Sequence, residues 1–257
     1  MKRINSLLLV ALLTIALCTL CVSCSEPSAS KYKVGDTGPA GGIIVYDAGE
    51  IKTVTYSVNG QTKSYRYRYI EVAPADIEVQ FGYYCADDPT TDASQATQVV
   101  TKDNFVVGTG KANTDILVST MNGYTYATAT KSKTTLATGE EKEKTTFGAK
   151  ITDYAVTKCD SYSYGGCNDW FMPSMAELLL CIPYKDQLKL TTKDNGCYMS
   201  STESGGFNVQ AYSFVKNTSY NAPRLDGSTA VASATGTTGD TITYARYVRP
   251  IRYFTGE

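Results

Sequence analysis

The chain has 257 residues, with 24 lysines and arginines against 25 aspartates and glutamates and no histidine. That balance, without any basic tract, speaks against nucleic acid as a partner, and the missing histidine removes Ser-His-Asp and Cys-His nucleophile systems and histidine-bearing zinc sites. Charged residues at 19%, 20 tyrosines and abundant threonine and serine describe an extracellular, β-rich surface and not a cytosolic enzyme.

Lys2 and Arg3 lead into an apolar run from Leu7 to about Leu20, shorter than the ~20 residues a membrane span needs, so residues 1–23 read as a secretory signal peptide. The run closes on Leu20-Cys21-Val22-Ser23-Cys24. A small residue before a cysteine is the pattern on which bacterial lipoprotein processing acts, which makes Cys24 the lipidated first residue; the alternative is an ordinary cleaved signal with Cys24 incidental, since Cys21 is unusual in such a box. Removing the leader leaves a net charge of −3. Residues 24–30 then form a polar tether and residues 31–257 a single domain with long insertions.

Gly35-Asp36-Thr37 and Gly38-Pro39-Ala40 look like collagen triplets but are too few to wind a triple helix, and they read as a turn launching the buried strand Ile43-Ile44-Val45-Tyr46. Asn59-Gly60, flanked by alternating runs, predicts a two-residue hairpin turn. It pairs Val58 with Gln61, Tyr56 with Lys63 and Val54 with Tyr65 on a packing face, while Thr53, Thr55, Ser57, Thr62, Ser64 and Arg66 face water. Residues 86–98 read as a loop, 114–120 as a helix and 121–148 as an inserted hairpin, 124–130 against 133–137 or 144–147, with a solvated charged turn near Glu140. Residues 151–159 suit a first helix.

The chain is organised around Gly165-Gly166-Cys167-Asn168-Asp169-Trp170-Phe171-Met172-Pro173-Ser174 and the Met175-Ala176-Glu177-Leu178-Leu179 that follows. This stretch holds the only tryptophan, Trp170, and reads as a buried aromatic strand end feeding a capped helix. Ser174 accepts from the Glu177 N–H while Glu177 reaches back to the Ser174 N–H; Pro173 staples against Leu178, and Met175, Leu178, Leu179 and Ile182 make one apolar stripe. Strands are expected over 198–201, 210–215 and 244–254. Arg246, Arg249 and Arg252, spaced by three, cannot share one strand face.

Cys85, Cys159, Cys167, Cys181 and Cys197 lie beyond the leader. An exported chain sits where disulfides persist, and five thiols allow two bridges and one leftover in several arrangements; Cys85 with Cys159 and Cys181 with Cys197 is the favoured one. Zinc is disfavoured, because these five form no Cys-x-x-Cys and have no histidine beside them.

The pattern Gly-Gly-x-x-Asp-Trp-Phe-x-Pro-Ser-x-x-Glu-Leu from Gly165 to Leu178 resembles the central signature of the bacterial Lcl C-terminal domain family, envelope and secreted modules similar to C-type lectins. Further stretches agree in order: Val34 to Ile43, Ile70 to Asp76, Gly108 to Thr114, Tyr198 to Glu203 and Tyr247 to Arg252. The resemblance implies an α+β, C-type-lectin-like domain with two helices packed on a twisted, mostly antiparallel sheet with long loop and hairpin insertions. It also implies an adhesin-like role: a lipid-anchored protein of the bacterial envelope, at the outer membrane or cell surface, recognising an extracellular polysaccharide or a host or surface protein. Membrane contact is through the lipid alone, and no cofactor or metal is expected.

Asn168-Asp169-Trp170 departs from the lectin order Trp-Asn-Asp, and neither sugar-selecting triplet, Glu-Pro-Asn or Gln-Pro-Asp, occurs, so Asp169 is assigned a structural hydrogen bond near the helix start. Asp87-Asp88, the obvious carboxylate pair for glycoside hydrolysis, reads as an exposed loop. Tyrosine, serine, glycine and asparagine make adaptable recognition surfaces; the expected ligand face holds Tyr212, Lys216, Asn217, Tyr220, Arg224 and Asp226, with Tyr65 and Tyr67 next in line, and residues 227–240 are equally readable as a tolerated insertion. The rival classes are a structural envelope lipoprotein without a specific ligand and an enzyme related to formylglycine-generating proteins, which work through a reactive cysteine pair.

Overall fold

Strand β1 (Ile43–Val58) turns at Asn59-Gly60 into β2 (Gln61–Val72). Both turn residues have positive φ, 50° and 74°, the mirror-image geometry whose twist suits a hairpin. The register pairs Val58 with Gln61, Tyr56 with Lys63 and Val54 with Tyr65, as the alternation dictates, and Thr53, Thr55, Ser57, Thr62, Ser64 and Arg66 are exposed. The computed structural model describes residues 30–85, 98–100, 106–127, 129–192, 197–206, 208–224, 229–232, 241–243 and 247–257. The leader, Cys24, most of the tether, Asp87, Asp88 and Asp226 lie outside the described residues.

After β3 (Ile77–Glu78) and β4 (Tyr83–Tyr84) comes α1 (Gly110–Met121), longer at both ends than the expected helix. Next are β5 (Thr125–Tyr126) and the inserted hairpin of β6 (Ala129–Thr135) and β7 (Glu141–Phe147), with Ala129 opposite Phe147. Helices α2 (Ala155–Asp160) and α3 (Met175–Leu179) precede a 3-10 turn at Ile182–Tyr184. Strands β8 (Cys197–Glu203), β9 (Asn208–Ser213), β10 (Thr218–Pro223), β11 (Thr229–Ala232) and β12 (Thr241–Thr243) then run as a meander, followed by β13 (Tyr247–Val248) and β14 (Ile251–Phe254).

Three α-helices stand among the described residues, one at each helical segment read from the sequence, where the resemblance implied two; the 151–159 helix is the second and not the first. The closing strand is also divided. Its first half, β13, joins the seven-stranded sheet of order β12-β11-β10-β9-β8-β13-β3, and its second half, β14, completes the three-stranded sheet β1-β2-β14. Among the described residues every strand pairing is antiparallel except β13 beside β8. The architecture is therefore α+β and mostly antiparallel sheet.

Two large apolar clusters, with two small ones around Trp170 and Tyr83, fill the unit formed by Tyr32–Glu257. One gathers Leu117 and Met121 of α1, Val156 of α2, and Met199, Ala211, Tyr220 and Val248 of the larger sheet. The other gathers Ile70, Phe171, Met175, Leu178, Tyr198, Phe214 and Ile251. Met175 and Leu178 are fully buried whereas Leu179 and Ile182 are half-buried, so the five-residue α3 is held by two core side chains, each worth about 1.5–3 kcal/mol, and by its cap.

The six signature stretches meet through buried polar groups. Glu71 takes the backbone N–H groups of Ala40 and Gly42 at 3.1 and 2.8 Å and the Arg252 guanidinium at 3.1 Å. Gly42 has no room for a side chain, since a Cβ would fall on the Val72 carbonyl. Arg252 forks onto Asp169 at 2.8 and 3.0 Å, the geometry that favours arginine over lysine. Arg249 reaches Asp76 at 2.6 Å and the carbonyls of Ala73 and Leu188. The glycine-rich segment is thus a turn clamped by a carboxylate.

The expected disulfides are absent: Cys85, Cys159, Cys167, Cys181 and Cys197 are free thiols. Cys181 sits in the second cluster and Cys197 in the first, while Cys85 packs with Tyr83 and Tyr126 and Cys159 with the α1–α2 core, so neither favoured pair shares an apolar cluster. Burial pushes the Cys181 thiol up to about 12 and those of Cys159 and Cys197 higher. Residue-resolved alkylation of the native protein should modify half-buried Cys167 and spare the other four until denaturant is added. Native protection of a pair that persists under denaturant without reductant would restore the disulfide.

Candidate functional site

The central signature builds a junction around one side chain. Ser174 accepts from the Glu177 N–H at 3.3 Å and Glu177 Oε2 accepts from the Ser174 N–H at 2.8 Å, the reciprocal cap. Oε1 accepts from the Gly108 N–H at 2.8 Å and from the Tyr253 hydroxyl. The Cβ of any other residue at Gly110 would collide with Glu177, so the Gly108-Thr109-Gly110 spacing is set by this carboxylate. Glu177 is fully buried. Burial raises its pKa despite the donors around it. Trp170 is buried in a separate small cluster with Ala40 and Ala73, its indole N–H donating to the Cys167 carbonyl at 3.2 Å.

Around the junction the aromatic side chains form a ladder: Tyr253 stacks on Tyr67 with centroids 4.5 Å apart and meets Phe171 at 4.4 Å and Tyr65 at 5.1 Å. The Tyr65 hydroxyl donates to the Gly108 carbonyl. Tyr65 and Tyr67 therefore pack against the Gly108 turn that leads into α1, Tyr67 buried and Tyr65 half-buried.

The first-choice face is divided by the structure. Lys216 and Asn217 are exposed at the β9–β10 turn, and Tyr212 lies beneath them with its hydroxyl donating to Asn217 at 2.8 Å. Tyr220 is 0% exposed in the α1–α2 core. Arg224 is 1% exposed, paired with Glu203 and lying 5.1 Å over the Phe81 ring. Burial draws its pKa down to about 9, which leaves it charged at neutral pH. Tyr220 and Arg224 are core residues, and the expectation that they anchor a ligand is corrected. Their sequence neighbourhood is polar, but β10 alternates, and these two positions point inward.

A concave site opens instead beside the tip of the first hairpin. A cleft of about 390 Å³ is walled by Val58, Asn59, Gln61 and Lys63 of the hairpin, by Lys111, Asp115, Val118 and Ser119 of α1 and by Asp160 at the end of α2. The Asp115 side chain, 9% exposed, is its centre. It accepts from Lys111 at 2.6 Å, Lys63 at 3.1 Å and the Tyr56 hydroxyl at 2.5 Å, and Asp160 lies 3.7 Å from Lys111. Burial alone would raise the Asp115 carboxyl; the hydrogen bonds from Lys111, Tyr56 and Lys63 outweigh it and hold the pKa below 3.8. The amides of Asn59 and Gln61 are exposed and have no partner among the described residues, and Ser119 Oγ is closed to solvent without one.

Val58, Asn59, Gln61 and Lys63 read from the sequence as a hairpin turn, and none of the cleft residues is assigned there to a ligand. The Lys111-x-x-x-Asp115 spacing, which sets an ion pair on one helix face, was the available signal; that it would meet the hairpin tip depends on the Tyr65–Gly108 contact 43 residues apart. Among the described residues no group of three or more cysteines, aspartates or glutamates is placed to hold a metal ion. No family model, no curated protein and no solved structure matches this chain.

Replacing Tyr220 and Arg224 together with Ala should leave the protein largely unfolded. Losing a buried aromatic costs about 3–5 kcal/mol, and stranding Glu203 costs a further ~3–5 kcal/mol; urea unfolding measures this, and an unchanged midpoint would put both side chains in solvent. Asp115 has a pKa depressed in the folded state, so its stabilisation is fully present above the unfolded value near 3.8 and disappears as pH falls through the lower folded value. Because Lys63 is half-exposed, the whole contribution is about 1 kcal/mol. Asp115→Asn should lose that amount at pH 7 and flatten the acid limb of the stability profile below about pH 4.

Proposed function

We propose that this chain is a lipid-anchored binding protein of the bacterial cell envelope, a C-type-lectin-like module of the Lcl C-terminal type that recognises an extracellular polysaccharide or surface protein through the cleft beside its first hairpin. The observation that carries this reading is the cleft itself: side chains from a hairpin and two helices converge on one concavity with unpaired amides and a fixed set of charges. Ligand sites are concave and few per protein, with volumes of roughly 300–1,000 Å³.

The arrangement of the signature supports the scaffold half of the proposal. Glu71, Asp169, Glu177, Arg249 and Arg252 are all spent on joining one signature stretch to another. These residues specify a fold and leave recognition to positions outside them. The buried thiols, with pKa values pushed upward, weigh against the formylglycine-type alternative, because the thiolate is the reactive form.

Two measurements test the reading. Cells expressing the chain and fed a palmitate analogue should label it and retain it with membranes, and Cys24→Ala should abolish both; a labelled, membrane-bound Cys24→Ala chain would end the lipoprotein reading. A glycan array together with a panel of matrix proteins should return a saturable ligand whose binding is weakened by Asp115→Ala. Failure of every glycan and protein to bind would favour the structural-lipoprotein alternative.

A further inference from the structure

The hairpin cleft has a charge pattern that selects among ligands. Lys63 and Lys111 are matched by Asp115 and Asp160, so the site has no formal net charge. The cations are also committed. Asp115 holds both ammonium groups while only 9% exposed, and an anion that drew the lysines away would leave a buried carboxylate unpaired, an arrangement that buried ion pairs resist. A uronate or sulfate thus meets two occupied lysines and two repelling carboxylates.

An apolar ligand fares no better, since only Val58 and Val118 supply apolar surface in a wall otherwise made of amide, hydroxyl and charged groups. The groups left for a ligand are the exposed Asn59 and Gln61 amides, each able to donate and accept at once. Hydroxyls on a sugar ring have the same dual capacity, and the two valines offer a place for its C–H face.

Resting on the binding reading above, we infer that the cleft takes a short uncharged, polyhydroxylated glycan segment, held by the Asn59 and Gln61 amides over the neutral Lys63–Asp115–Lys111–Asp160 array. Recognition of this kind is nearly independent of salt, because no counterions are exchanged on binding and the charges stay paired within the site. It also separates the cleft from adhesin surfaces that attract acidic polysaccharides through unpaired lysines.

Isothermal titration of the full chain with maltohexaose, cellohexaose and mannohexaose, and with the hexauronates of galacturonate and guluronate, at low and high sodium chloride, tests the assignment. Asn59→Gly keeps the positive φ of the turn while deleting the amide, and Gln61→Ala deletes the other; Lys133→Ala, on the exposed inserted hairpin, is the control. The expected result is binding of at least one uncharged hexasaccharide, changed less than twofold by salt, weakened about 5–10-fold by each amide deletion and unaltered by the control. Preferential, salt-sensitive binding of a hexauronate would overturn the inference while leaving the protein a glycan binder. Uncharged binding indifferent to both deletions would overturn it by moving the site. No binding of any sugar would overturn it as well, and the matrix-protein panel then decides whether the broader binding reading survives.

Discussion

The structure depends on buried carboxylates that capture backbone amides, two of them in distant glycine-rich turns. Glu71 closes on Ala40 and Gly42, Glu177 on Gly108 and Ser174, and Glu203 on Val99 and Val100. A carboxylate out of water is tolerable only when its lone pairs are filled, and short turns rich in glycine present adjacent N–H groups without side chains in the way. Each capture ties a backbone segment to an element elsewhere in the fold or, at Ser174, to the start of its own helix. Two of the three carboxylates are also balanced by a buried arginine, Glu71 by Arg252 and Glu203 by Arg224. Glu177 has a tyrosine hydroxyl instead, and burial raises its pKa.

The same arrangement explains why the most distinctive sequence in the chain is a poor place to look for a ligand. Asp169 and Trp170 stand where a comparison with lectins draws the eye, yet Asp169 is bound by Arg252, whose guanidinium lies 5.9 Å from the centre of the Trp170 ring. The groups open to a ligand are the exposed Asn59 and Gln61 amides at the hairpin tip, beside Lys63 and Lys111 that are already paired with Asp115. Those positions carry ordinary residues, an asparagine, a glutamine and two lysines, that mean nothing until the tertiary structure gathers them.

Local features were therefore legible and long-range ones were not. The Asn59-Gly60 turn, its register and its wet and packed faces follow from a period of two and a dipeptide with one good geometry, and the Ser174–Glu177 cap follows from a four-residue pattern. Tyr220 and Arg224 misled because a polar, serine- and threonine-rich neighbourhood looks superficial, while their inward orientation is set by pairing of β10 with β9. The disulfide expectation failed for a related reason: it weighed compartment and spacing, but Cys181 and Cys197 are separated by the partition into two apolar clusters. The cleft was hidden because its two halves are joined by tertiary contacts alone, Tyr56 and Lys63 meeting Asp115 across 59 and 52 residues.

The division of the last strand between two sheets has a consequence for the order of events in synthesis. Asp76, Glu71 and Asp169 receive their arginines from residues 249 and 252, as far as 181 positions away in the chain, and Phe171 exchanges backbone hydrogen bonds with Ile251. A chain still emerging from the ribosome has every acid of this framework and none of its bases. Contacts of such long sequence separation form slowly, and here they cannot form at all until the final dozen residues exist. Such a polypeptide lacks its joined framework until its last strand is made, and until then only sequence-local elements such as the Asn59-Gly60 hairpin are available to it.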